Sequence, residues 1–172
     1  LLNLINKKIN SPESELAMTT SDSSDLYADI KTLVGSFKTV LMATASKDGE
    51  PEISYSPYVI CDGLLHVLVS DLSVHTGNLK VNPQASLLFI ESEESAEKLH
   101  ARKRVTYSAS AKQISRDTDH WRCVLDVMQE QFGDIIPVLE SLPDFHLFAM
   151  DTDCAVLVKG FADAHTLECK GF

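Results

Sequence analysis

Positive charge is scarce in this sequence: 15 Lys and Arg face 25 Asp and Glu, for a formal net charge of -10. Such a field repels a phosphate backbone or an anionic bilayer surface, so neither nucleic acid nor membrane is expected as a partner. No run of about 18 apolar residues is present to span a bilayer. The opening LLNLINKKINSPESEL has neither the apolar stretch nor the cleavage site of a secretory leader. The four cysteines, Cys61, Cys123, Cys154 and Cys169, are scattered without a C-x-x-C pair. That is the usage of reduced thiols, and a cytoplasmic location is the expectation. G-x-G-x-x-G, the P-loop, G-x-S-x-G and H-E-x-x-H are all missing, which removes local support for dinucleotide, nucleoside triphosphate, hydrolase and zinc-protease chemistry. Ser95 and Lys98 match S-x-x-K but lack the companion motifs, as a chance match would. No two of the six histidines stand four residues apart, so no helix face presents a metal pair, and no metal ligand is assigned.

What is present suits one domain, since 172 residues suffice to bury roughly 70 % of the unfolded surface. Residues 1–24, with Pro12 and the tract TTSDSS, read as an N-terminal arm, and 25–172 as the domain. Leu26, Ile30, Leu33, Val34 and Phe37 fall at helical spacing behind Ser24 as N-cap. TVLMATAS, PEISYSPYVI and LLHVLVS are strand-like runs separated by Asp48-Gly49 and Asp62-Gly63, a meander signature. SVHTGNLKVNP reads as a short helix capped by Ser73 and ended before Pro83, with QASLLFIE as the next strand.

A long strand is expected from Arg102 to about Ile114. Next comes a helix with Trp121, Val124, Leu125, Met128 and Phe132 on one face, then a second helical piece broken near Pro137. FHLFAM and CAVLVKGFADAH complete the chain as strands around a turn at Asp151-Thr152-Asp153. The pattern predicts a mainly β fold with flanking helices, a six-stranded antiparallel β-barrel, closed or split.

Against the acidic background, LHARKRVTYSAS (Leu99–Ser110) places three cations in a row at the head of a β-branched run. On an extended chain Arg102 and Arg104 share a face about 7 Å apart while Lys103 turns away. Two guanidinium forks so placed can grip a phosphate or two carboxylates. Pairing with Glu91–Glu97 of the preceding acidic loop is the alternative. His75 stands at the start of the short helix, close after Ser70 and Ser73, where free backbone N–H groups also favour an anion.

In order along the chain, SYSPYV (Ser54–Val59), HTGNLKVNPQASLLFIE (His75–Glu91), ARKRVTYSA (Ala101–Ala109), FGDII, PDF and VKGF together resemble the HugZ/HutZ heme-utilisation family. That family is a branch of the pyridoxamine 5'-phosphate oxidase-like FMN-binding split-barrel superfamily. The resemblance runs from about Lys31 to His165. It implies a homodimer with the cofactor at the subunit interface, and oxidative degradation of heme to release iron with an unidentified electron donor. FMN as the cofactor of an oxidase, or heme carried without turnover, are the alternatives.

Ser70, Ser73, His75, Arg102 and Arg104 are the expected cofactor-binding residues; the resemblance places His75 and Arg104 at or near the pocket, and Asp144 of LPDF, the expected catalytic residue, matches an acid that orients the axial histidine across the interface. The superfamily's flavin pattern has a Ser-Arg-Lys-like segment where this chain reads Ser73-Val74-His75, while Arg102 still matches its second phosphate position. The family's axial histidine belongs to a segment after the last strand, and none of the six histidines here matches it by position.

Overall fold

Asp62 and Gly63 both adopt positive φ, 52° and 75°, so the two-residue Asp-Gly turn predicted from sequence joins two strands directly, with Cys61 opposite Leu64. The computed structural model describes residues 20–168 and 171–172. The arm expected over 1–24 lies, through residue 19, outside the described residues, as does Cys169.

Helix α1 (Thr20–Gly35) is followed by strands β1 (Thr39–Ala45), β2 (Pro51–Pro57), β3 (Val59–Cys61) and β4 (Leu64–Ser70). Then come α2 (Val74–Val81), β5 (Gln84–Ile90), a single 3-10 turn at Leu99–Ala101, and β6 (Arg104–Ile114). Helices α3 (Asp119–Phe132) and α4 (Ile135–Ser141) precede β7 (Phe145–Gly160) and β8 (Asp163–Glu168). All pairings are antiparallel, in the order β2-β1-β5-β6-β7-β4-β3 with β8 added to β7. The sheet curls into a split barrel.

Eight strands replace the six expected, for identifiable reasons. PEISYSPYVI is two strands because the chain turns inward at Tyr58, whose hydroxyl donates to the Val34 carbonyl at 2.7 Å. Burial pushes that phenol up to about 12, so it stays a donor at any ordinary pH. The expected turn at Asp151-Thr152-Asp153 does not form. Thr152 is fully buried and β7 runs straight through, shifting register against β6 so that Asp153 has no partner between Thr152 and Cys154. At that bulge β7 changes neighbours: Phe145–Met150 pairs with β4, and Cys154–Gly160 with β8.

Three local boundaries also move. Helix α1 begins at Thr20, which puts Ser24 inside it rather than at its cap. Strand β6 begins at Arg104, with Arg102 just outside. The break between the C-terminal helices falls at Gly133, φ 76°. Pro137 sits in the first turn of α4, where a missing N–H costs nothing.

Two cores account for the hydrophobic pattern. Inside the barrel, Met42, Leu65, Leu87, Phe89, Tyr107 and Met150 pack together under α1, which contributes Leu26, Ile30 and Val34. Outside it, the α3 stripe of Trp121, Val124, Leu125 and Met128 packs on Val59, Leu68 and Leu147. Strand β4 lies between the two, which explains why LLHVLVS is apolar almost without alternation.

Candidate functional site

The barrel does not close between β2 and β4, and a cleft of about 620 Å³ occupies that split. Its walls are Glu52–Pro57 of β2, Leu68–Ser70 of β4, Ser73–His75 at the head of α2, and Phe145. Three of the residues expected from sequence, Ser70, Ser73 and His75, therefore line one cavity. Asp144 stands beside it. The Ser70 hydroxyl donates to Asp144 Oδ2 at 2.7 Å, and the Asp71 N–H donates to the Asp144 carbonyl at 2.9 Å. The β4–β7 pairing, with Ser70 opposite Phe145, holds this acid at the lip.

Ser73 occupies the N-cap position of α2, but its hydroxyl caps nothing. Ser70 shapes the turn instead: its hydroxyl accepts the Leu72 N–H at 3.1 Å, and its carbonyl accepts the Thr76 hydroxyl at 2.6 Å. His75 is buried, and its Nε2 is the one buried side-chain N or O atom among the described residues with no hydrogen-bond partner. Burial lowers its pKa, opposed by the charge of Glu52, so the ring is held neutral. Thr44, Ser56, Thr76 and Asn78 are buried polar residues as well, and the Asn78 amide donates to Thr44 Oγ1 at 3.0 Å. A neutral imidazole that lines the cleft while its Nε2 lies buried and unpaired leaves one unspent hydrogen-bonding atom in the cleft wall.

A second polar group, which sequence reading did not single out, braces the loop. His146 Nε2 lies 2.9 Å from Asp71 Oδ2, the Gln113 amide is 3.2 Å from His146 Nδ1, and Lys80 is bonded to Asp71. Lys80 and His146 hold the Asp71 carboxyl below the usual carboxylate range. These four residues come from the loop, α2, β6 and β7, so only the fold brings them together.

The arginines lie elsewhere on the chain. Arg102 donates through Nε and Nη2 to the Glu91 carbonyl, and its Nη1 is 3.5 Å from Glu93 Oε1. The alternative of pairing with the acidic loop is thus realised for Arg102. Arg104 Nη1 donates to the Arg102 carbonyl at 3.2 Å, and no carboxylate pairs with it among the described residues. Neither arginine borders the cleft. Arg104 stands opposite Ile90 on β5 and Val158 on β7, and with β5 and β1 between β6 and β2 it lies three strand spacings, or about 14 Å along the sheet, from β2.

Arg104 belongs to an outer sheet face with unusual composition. On β2 the apolar Ile53 and Tyr55 point outward, 72 % and 65 % exposed, while Ser56 points in. Tyr55 stands opposite Leu41, which stands opposite Leu88. Alternation in PEISYSP predicts two faces but not which one is buried, and the inverted choice is visible only once α2 is seen to cover the polar face. A cavity of similar volume, about 620 Å³, lies under α1 between Tyr27, Ile30, Tyr107 and Phe172, and holds none of the residues expected from sequence. No helix among the described residues is long and apolar enough to cross a membrane.

Comparison with known proteins agrees with this architecture. The pyridoxamine 5'-phosphate oxidase family model matches residues 26–158. The heme oxygenase HutZ of Vibrio cholerae serotype O1 is 41 % identical over 140 residues, 81 % of this chain and 80 % of that protein. A crystal structure of HutZ, described as the heme storage protein of Vibrio cholerae, superposes with a TM-score of 0.75 at 37 % identity, covering 80 % of this chain and 98 % of the other. That of Campylobacter jejuni ChuZ gives a TM-score of 0.78 at 30 % identity, covering 84 % and 60 % respectively.

Proposed function

From the premise that the chain belongs to the pyridoxamine 5'-phosphate oxidase family and is similar to HutZ, we propose that it is a cytoplasmic homodimer that binds heme and degrades it oxidatively, releasing iron. The observation that carries this reading is that His75, whose buried Nε2 has no partner, lines a cleft bordered by Ile53, Tyr55, Leu68, Val69 and Phe145. Its volume of about 620 Å³ falls within the roughly 300–1,000 Å³ of small-molecule sites. When bound, heme supplies the iron and oxygen chemistry. The protein's part is to seat the plate, meet its two carboxylates and orient its imidazole donor.

Asp144, fixed by Ser70, is suited to accept the second N–H of an imidazole, which sets the tautomer and raises donor strength. Arg104 has a different task. It is embedded in the outer apolar face beside Ile90 and Val158, and a second copy laid on that face traps its charge unless an anion arrives with it. A propionate is such an anion. The exposed Ile53, Tyr55, Leu41 and Val156 are the surface that pairing of two copies covers. Arg102, spent on Glu91 and Glu93, orders the strand entrance more than it meets the cofactor.

The flavin reading is weaker because Ser73-Val74-His75 offers no cation for a phosphate. Storage without turnover is the second reading, favoured by the description of the HutZ crystal structure. Hemin added to the protein should produce a saturable Soret band. Anaerobic loading followed by a chemical reductant and O2 should then bleach that band and release iron to a ferrous chelator. A stable band under those conditions supports storage. A yellow protein that takes up FMN and ignores hemin refutes the heme proposal.

A further inference from the structure

Cys61 and Cys123 are separated by 62 positions in the sequence, yet their Sγ atoms lie 3.9 Å apart. Cys61 ends β3, immediately before the Asp62-Gly63 turn, and is buried; Cys123 lies on α3 and is exposed. Two sulfurs in contact need to approach by about 2 Å to reach disulfide bonding distance. Closing that gap calls for rotation of the exposed side chain with a small shift of α3. Burial, the neighbouring thiol and the Asp62 charge push the Cys61 thiol up to about 11, so the buried member is protonated and unreactive on its own. The exposed member is the one an oxidant meets.

We propose that Cys61 and Cys123 form a peroxide-responsive thiol pair, with Cys123 oxidised first and Cys61 as the resolving sulfur. In the first step the Cys123 sulfur attacks a hydrogen peroxide oxygen, the O–O bond breaks, and a sulfenic acid and one water result. In the second, the Cys61 sulfur attacks the sulfenic sulfur. The S–O bond breaks, and the departing hydroxide leaves with the Cys61 proton as a second water. Two thiols lose two electrons and two hydrogens, and the peroxide is reduced to two waters. The resulting bond ties α3 to β3, in the same packed cluster as Leu68 and Phe145, which line the cleft. The oxidation state of the pair thereby reaches the wall of the proposed cofactor site.

The test uses the full chain carrying Cys154→Ser and Cys169→Ser, so that only this pair remains. After brief treatment with hydrogen peroxide its intact mass should fall by about 2 Da and both thiols should vanish together from a thiol titration. Dithiothreitol should restore them, and the oxidised form should melt ~5–10 °C higher. Adding Cys61→Ser should halt the reaction at Cys123, with a dimedone-trappable sulfenic acid of about 16 Da added mass. An unchanged mass in the parent variant overturns the proposal. So does over-oxidation of Cys123 with Cys61 still free, or a covalent dimer on a non-reducing gel.

Discussion

Lowering the pH from 7.5 to 5 should cost this protein about 2 kcal/mol of stability through the His66 side chain alone. The ring is fully buried between β4 and α3. Its Nδ1 lies 3.0 Å from the Leu64 carbonyl, which can only accept, so Nδ1 carries the proton. Nε2 then accepts from His120 Nε2 at 3.1 Å. A second proton on His66 would face a donor with no water to relieve it. Burial first, and His120 second, push the His66 pKa down to about 4, against about 6.5 in an unfolded chain. Between those values the unfolded chain binds a proton that the folded one does not, so stability falls as the pH falls. At about 1.36 kcal/mol per pH unit the loss amounts to about 2 kcal/mol at pH 5 and about 3 kcal/mol once the pH is below 4.

Urea denaturation at pH 7.5 and 5, on the wild type and on His66→Gln, isolates this contribution because other titrating groups are common to both. The variant should lose about 2 kcal/mol less than the wild type over that interval. Equal losses in both would refute the reasoning.

Arg104→Ala should weaken hemin binding by about 10- to 100-fold, the loss of a charge-assisted contact. Arg102→Ala, whose guanidinium is already engaged by Glu91 and Glu93, should weaken it by less than about tenfold; Soret titration of both variants decides. Tyr55→Glu places a charge on the outer apolar face opposite Leu41 and, on the proposed dimer, should yield a monomer by analytical ultracentrifugation with little change in melting temperature. An unaltered dimer would move the interface elsewhere.

Structure is legible in the sequence where one short-range rule decides it. Asp62-Gly63 forms its hairpin turn because both residues tolerate positive φ, and Trp121, Val124, Leu125 and Met128 are buried as their spacing requires. Elsewhere distant contacts override local preference. Asp151-Thr152-Asp153 has turn composition, but Thr152 is buried in the sheet and the strand absorbs the irregularity as a bulge. The fold delivers Ser70, Ser73 and His75 to one cleft with Asp144 at its lip. It leaves Arg102 and Arg104 outside that cleft, a separation that no spacing along one strand could reveal. The Asp71–His146 brace and the Cys61–Cys123 contact join residues 75 and 62 positions apart, beyond the reach of any periodicity argument.

The central claim, that the cleft at His75 holds heme, is tested most directly by titrating hemin into the wild type and into His75→Leu while following the Soret band. The leucine fills the site without a ring nitrogen. The wild type should saturate at one heme per protomer, and the variant should bind at least about tenfold more weakly for want of that one contact. No saturable band in the wild type, or identical curves for the two proteins, would contradict it.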